Sequence, residues 1–270
     1  MDKPFHLQQN CQSLCSRFEP PLSVLGRPNA LMKFLKRLTI YQDLAPRSGA
    51  MNMAIDEGLL ETARAVSIRF YRWQSPALSF GYFGKFDDVA EHASERDLVR
   101  RWTGGGIVFH GKDLTYSIVI PASDPIFAES SRSIHEKIHC ALRDALAANG
   151  RRVELAAIGR NAALRRSEPK WHLRTAQCAV PTNVCFANPV CADVMIEGRK
   201  IAGAAQRRTR GGLLHQGSIQ NVDLGNGLSE RFAHALSANC REREINRETL
   251  YRARELAEQK YGADAWLRKR

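Results

Sequence analysis

Residues 191–208, CADVMIEGRKIAGAAQRR, run in extended fashion on both sides of Gly198-Arg199. A two-residue connection leaves such a segment no course but to fold back antiparallel on itself. Taking Gly198-Arg199 as the turn, Glu197 faces Lys200, Met195 faces Ala202, Asp193 faces Ala204 and Cys191 faces Gln206. Alternate residues share a face, so Asp193 and Lys200 point to one side with only small residues beside them. Gly111-Lys112 reads as a second tight hairpin between 106–110 and 113–120, the latter stopped by Pro121.

Around these turns, strands and helices interleave. Strands are predicted at 38–43, 67–73, 77–82, 99–102, 106–110, 113–120, 191–197, 200–208 and 212–220. A helix spans 49–64 behind Pro46 and Ser48, with Met53, Leu59, Leu60 and Ala63 facing a core. Others are predicted near 87–97, over 131–148 with Ser131 or Ser133 as cap, and near 228–238 and 246–259. The fold class is therefore α+β, a mixed, largely antiparallel sheet flanked by helices. Residues 1–36, with Pro20-Pro21, Gly26 and Pro28, read as a loosely ordered N-terminal extension, and 37–270 as one catalytic domain. Residues 156–178 read as a mobile, basic loop.

Charge narrows the partners. The 270 residues carry 40 Lys and Arg against 28 Asp and Glu, a net +12. Of that excess, ten charges fall in 151–175 and 199–210, a concentration that suits an acidic partner. Nucleic acid is the default for so basic a chain, but the aromatics are few and do not interleave with these arginines, so a stacking platform is absent. No apolar run reaches 18 residues and no secretory leader pattern opens the chain, so a cytoplasmic protein without membrane association is expected. Seven cysteines, at 11, 15, 140, 178, 185, 191 and 240, fit neither a disulfide framework nor paired zinc ligands. Reduced thiols, at least one of them chemical, are the better reading.

Gly104-Gly105-Gly106 lacks the following helix of a dinucleotide site and the GK[ST] of a P-loop. Three glycines still let a main chain approach a ligand closely. Arg100, Arg101 and His110 flank them.

Four blocks together give a resemblance: SGAMNMAIDEGLL (48–60), RFYRWQSPALSFGYF (69–83), RRWTGGGIVFHGKDLTYSIVIP (100–121) and EGRKIAGAAQRRTRGGLLHQGSI (197–219). In this order the chain resembles the lipoate/octanoate protein ligase and transferase family, over about residues 38–266. The resemblance implies the biotin/lipoate ligase fold with a tunnel for an acyl chain. It also implies one of two chemistries. Ligases use ATP and Mg to adenylate a free acid; octanoyltransferases take octanoate from acyl carrier protein through a cysteine thioester and need no cofactor. CFANPV (185–190) resembles the transferases' CFxxPS-type segment, with Cys185 fifteen residues before Lys200. Val190 stands in place of the usual Ser, Cys191 in place of a bulky aromatic, and Asp193 where transferases tend to have Glu and ligases Asp.

On this resemblance the catalytic pair is Cys185 and Lys200. Substrate-binding residues are Arg101, Gly104, Gly105, Gly106, His110, Asp193 and Gly203, and no metal is expected. A thiol of ordinary pKa near 8.5 is only a few per cent ionised at neutral pH, so a cation such as Lys200 is needed to activate Cys185. Main-chain N–H groups near Lys200 and Gly203 would stabilise the oxyanion. Expected partners are octanoyl acyl carrier protein and a lipoyl-domain acceptor, both with acidic surfaces. The alternatives are an ATP-dependent lipoate-protein ligase, in which Cys185 is a bystander, and a non-enzymatic basic binding protein, which charge alone would allow.

Overall fold

The computed structural model describes residues 33–148, 150–156, 186 and 189–269. Its strands are β1 (Leu38–Arg47), β2 (Ser67–Trp73), β3 (Ala77–Phe80), β4 (Asp97–Arg100), β5 (Val108–His110), β6 (Leu114–Pro121), β7 (Val153–Leu155), β8 (Val194–Ile196), β9 (Arg199–Arg208), β10 (Gly212–Ile219) and β11 (Cys240–Glu242). The helices are α1 (Gly49–Glu61), α2 (Ser131–Ala147), α3 (Leu228–Leu236), α4 (Arg247–Leu256) and the short α5 (Asp264–Leu267).

Among the described residues the main sheet has the order β11-β1-β2-β6-β10-β9-β8-β7, and a small sheet has the order β4-β3-β5. β1 runs parallel to β2 and β11; the other neighbours in the main sheet are antiparallel. The mixed, largely antiparallel α+β architecture is thus the one expected. The strand alternation sorts side chains to two faces. Ile68, Phe70, Tyr116 and Ile118 pack under α2 and α3, while Tyr71, Trp73, Val119 and Leu214 pack under α1 and α4.

Helix α2 presents Ile134, Ile138, Leu142 and Leu146 as one buried row at helical spacing. Each such side chain removed from water stabilises the fold by about 1.5–3 kcal/mol. Its cap is Ser130, whose hydroxyl accepts from the Ser133 N–H, one residue before the cap expected. Helix α1 begins where expected, Ser48 accepting from the Met51 N–H. It is buried nearly all round, with Asn52, Asp56 and Glu57 inside as well as Met53 and Leu59.

Several expectations are corrected. Residues 87–97 form two single 3₁₀ turns rather than a helix, leaving Asp97 free to start β4. Gly111-Lys112 joins no hairpin: β5 pairs with β3 in the small sheet and β6 with β2 and β10 in the large one. The turn there carries the chain between sheets. Leu35, ahead of β1, is buried in the core with its N–H donating to the Leu236 carbonyl. Residues 1–32 and 157–185 lie outside the described residues. Among the described residues no helix is long and apolar enough to cross a membrane.

Candidate active site

The β8–β9 hairpin turns at Glu197-Gly198, both with positive φ (49° and 73°), one residue earlier than expected. Met195 therefore pairs with Lys200, and a register shift then sets Val194 opposite Ala202. With the turn one residue earlier and one extra residue, Ile201, bulging on β9, the expected partners Lys200 for Glu197, Ala202 for Met195, Ala204 for Asp193 and Gln206 for Cys191 do not occur. The shared face survives all the same. Lys200 Nζ lies 2.8 Å from Asp193 Oδ2, both side chains being almost wholly buried. The Val190 N–H donates to that same oxygen at 2.7 Å.

Gly203 makes this pair possible. A Cβ there would collide with Lys200 Cε and Nζ and sit 3.1 Å from Asp193 Oδ1. The lysine thus lies across the backbone of β9 at the one position without a side chain to lift it away. Across from it, Gly105 has φ +89°, and a Cβ there would press on Ala205 Cβ at 3.2 Å. The glycine turn and β9 form opposite walls of a narrow, mostly apolar cavity lined by Arg101, Gly105, His110, Gly203, Ala204 and Gly217 among others. Gly104 and Gly106 contribute differently, their carbonyls accepting from Arg101 Nη2 at 3.2 and 2.7 Å.

Arg101 is itself held from behind. Its Nη1 donates to Ser79 Oγ at 2.6 Å, and Ser79 lies 2.7 Å from His110 Nε2, whose Nδ1 lies 2.8 Å from Asp113 Oδ2. With Ser79 accepting from arginine, its hydroxyl proton goes to Nε2 and the Nδ1 proton to Asp113, so His110 is neutral. Burial lowers the His110 pKa despite the carboxylate. Burial also opposes ionisation of Asp113, but donors from His110, Gly111 and Thr115 outweigh it and hold that carboxyl at about 2. His110 stacks on Trp73 at 3.9 Å and has both nitrogens engaged, so it positions Arg101 and the glycine turn.

A second buried network escaped sequence reading. Arg69 binds Asp43, Asn52 and Asp56; Asp56 also accepts from Tyr71, Ser117 and Gln216 Nε2, and Thr103 donates to Gln216 Oε1. It joins β1, α1, β2, β10 and the glycine turn into one unit. The available signal was a charged residue inside each apolar run: Asp56 in MNMAIDEGLL and Arg69 in SIRFYRW. Arg100 is also structural, donating to the carbonyls of Tyr82, Gly84, Trp266, Leu267 and Lys269.

Of the expected site residues, Lys200, Asp193 and Gly203 meet at the β9 bulge, and Arg101, Gly104, Gly105, Gly106 and His110 form the facing wall. Cys185 lies outside the described residues. Its successor in the chain, Phe186, has its ring centroid 5.4 Å from Lys200 Nζ.

The family model for the lipoyl protein ligase A/B catalytic domain matches residues 48–255. An octanoyltransferase LipM of Macrococcus caseolyticus is 36% identical over 182 residues, covering 64% of this chain and 62% of its own length. One from Oceanobacillus iheyensis is 34% identical over 224 residues, covering 79% of this chain and 76% of its own. Among solved structures, a lipoate-protein ligase A bound with ATP superposes with TM-score 0.60 at 22% identity, covering 86% of this chain and 98% of that one. A structure from an analysis of the archaeal lipoylation system of Thermoplasma acidophilum, a bipartite lipoate protein ligase and its E2 lipoyl domain, gives TM-score 0.54 at 20% identity, covering 87% of this chain and 96% of that one. At these identities the structural likeness speaks to fold.

Proposed function

The chain belongs to the lipoyl protein ligase A/B catalytic family, and from that premise we propose that it is an octanoyltransferase of lipoate biosynthesis working through a thioester on Cys185. The observation that carries the reading is the Lys200–Asp193 pair, buried against Gly203, with Phe186 beside the ammonium in a segment whose preceding residue is a cysteine.

In the first half-reaction the Cys185 thiolate attacks the thioester carbonyl of octanoyl acyl carrier protein. The carrier's thiolate leaves and takes up a proton. In the second, a neutral lysine amine on a lipoyl domain attacks the acyl-enzyme carbonyl. The C–S bond breaks, Cys185 leaves as thiolate, and the amide nitrogen loses its extra proton. Thioester to amide is downhill, so neither ATP nor a metal is required for this reaction. Lys200 supplies the positive charge that favours the thiolate. Asp193 fixes that ammonium in place. The apolar walls of Gly105, Ala204 and Gly217 receive the acyl chain, with Arg101 bracing the turn that forms one of them.

Incubation with octanoyl acyl carrier protein should give a hydroxylamine-sensitive mass increase on the intact chain, absent in Cys185→Ala; no adduct on the unaltered protein refutes the reading. The ligase alternative, which Asp193 favours by its side-chain length, predicts instead ATP- and free-acid-dependent pyrophosphate exchange that persists in Cys185→Ala.

A further inference from the structure

On the face of the sheet under α2, three imidazoles converge. His135 and His139 stand one turn apart on α2, and His215 projects from β10. Their ring centroids lie 4.2, 5.5 and 5.7 Å apart, and one ring nitrogen from each lies within 4.8 Å of the others. His139 and His215 are completely buried. None of the three serves the acyl-transfer chemistry proposed above.

Two of the three are left with a bare nitrogen. His139 Nδ1 lies 2.7 Å from the Ala192 carbonyl, which can only accept, so the proton sits on Nδ1 and Nε2 carries a lone pair. That Nε2 is buried and finds no donor among the described residues, and neither does His135 Nε2. His215 Nδ1 lies 3.0 Å from the side-chain amide of Gln206. Because the amide's oxygen and nitrogen are interchangeable by a flip, Gln206 can accept from Nδ1; the other nitrogen of His215, Nε2, then accepts from the Tyr116 hydroxyl across a long 3.4 Å contact that a metal ion would have to displace. A neutral imidazole with one nitrogen donating to a carbonyl and the other bare is the form in which histidine binds metals.

We propose that His135, His139 and His215 form a three-nitrogen site for a divalent transition-metal ion of the zinc type, independent of whether the chain is a transferase or a ligase. A tetrahedral Zn–N site has ligand atoms about 3.3 Å apart, given bonds of about 2.0–2.1 Å. The 4.8 Å spread therefore has to close, and His135, the least buried of the three, is the ring with room to turn. Asp193, whose negative charge is felt at His135, favours a cation, while Lys200 opposes it. The ion would lock α2 to β10. Through His139 and the Ala192 carbonyl it would also fix the strained Ala192 (φ 67°) that immediately precedes Asp193.

The test uses tag-free full-length protein stripped with chelator and titrated with Zn²⁺ and with Co²⁺. The expected result is uptake of one equivalent, a rise in melting temperature, and visible Co²⁺ bands of a low-coordinate nitrogen site without a thiolate charge-transfer band. His135→Ala, the substitution least damaging to the core, should weaken binding by more than the roughly 10–100-fold that loss of an outer partner costs, and His139→Gln should do the same. A wild-type chain that takes up no stoichiometric metal overturns the proposal, whatever the variants do. So does a thiolate band, which would move the ion to a cysteine, or undiminished binding in a folded His135→Ala protein.

Discussion

Adding one methyl group at Gly203 should disable the site while leaving the fold standing. In Gly203→Ala the new Cβ would lie 2.5 Å from Lys200 Nζ, where an uncrowded contact needs about 3.5 Å. The ammonium must therefore retreat by about 1 Å. It cannot do so without stretching the 2.8 Å bond to Asp193 or moving Asp193 itself, whose Oδ1 is 3.1 Å from the same methyl. Overpacking of this kind costs about 1–3 kcal/mol. In a domain of this size that lowers the melting temperature by about 2–12 °C. Displacing a catalytic group by about 1 Å costs roughly 100-fold in rate. Single-turnover octanoyl transfer to a lipoyl domain, followed by intact mass well below the melting point, separates the two effects. A variant that melts lower but transfers at the wild-type rate would show that the position of Lys200 does not matter, and the role assigned to the pair would fall.

Two further outcomes follow from neighbouring residues. Held near 2 instead of the usual 3.8, the Asp113 carboxyl gives the folded state about 2 kcal/mol. That contribution is fully present above about pH 4 and is lost as pH falls through about 2. Asp113→Asn should flatten the acid arm of the melting profile in that window, and an unchanged profile contradicts the network. Arg207 stacks over Tyr82 and Trp102 at the partly exposed end of β9, whereas Arg208 donates to the carbonyls of Phe127 and Glu129. Arg207→Glu is therefore the cleaner probe of docking by an acidic carrier. It should lower kcat/KM for the carrier roughly 5-fold, an effect of about 1 kcal/mol, and the loss should shrink as salt rises.

Sequence pattern was enough for the elements whose logic is local. β2 occupies the predicted 67–73, α1 starts behind Ser48 as expected, and Gly198 marked its hairpin to within one residue. The pairing of Asp193 with Lys200 was legible because any two-residue turn near Gly198 places them on one side, even though the bulge at Ile201 was not foreseen. What failed was non-local. Gly111-Lys112 looks like a hairpin turn from its neighbours alone, and only the pairing of β5 with β3 reveals that the chain is changing sheets there. The short strands β7 and β11 have three residues each and are defined by their partners rather than by any period. The histidine trio was hidden for the same reason: His135 and His139 advertise a helix face, but His215 is brought to it by the sheet. His110, expected among the substrate-binding residues beside the glycine turn, has both ring nitrogens engaged, with Ser79 and Asp113, partners that only the fold brings to it.

The network running from Asp43 through Arg69 and Asp56 to Gln216 and Thr103 also dictates when the site can come into being. Its members are drawn from positions 43 to 216, so most of the chain must already be in register before the last of these polar groups finds its partner. Until then each keeps its water, because burying it without its partner would be costly. Contacts of such long sequence separation form slowly. The cavity is therefore expected to close late in folding, since a nascent chain still short of β9 has every residue of the glycine turn but no opposite wall for it to close against.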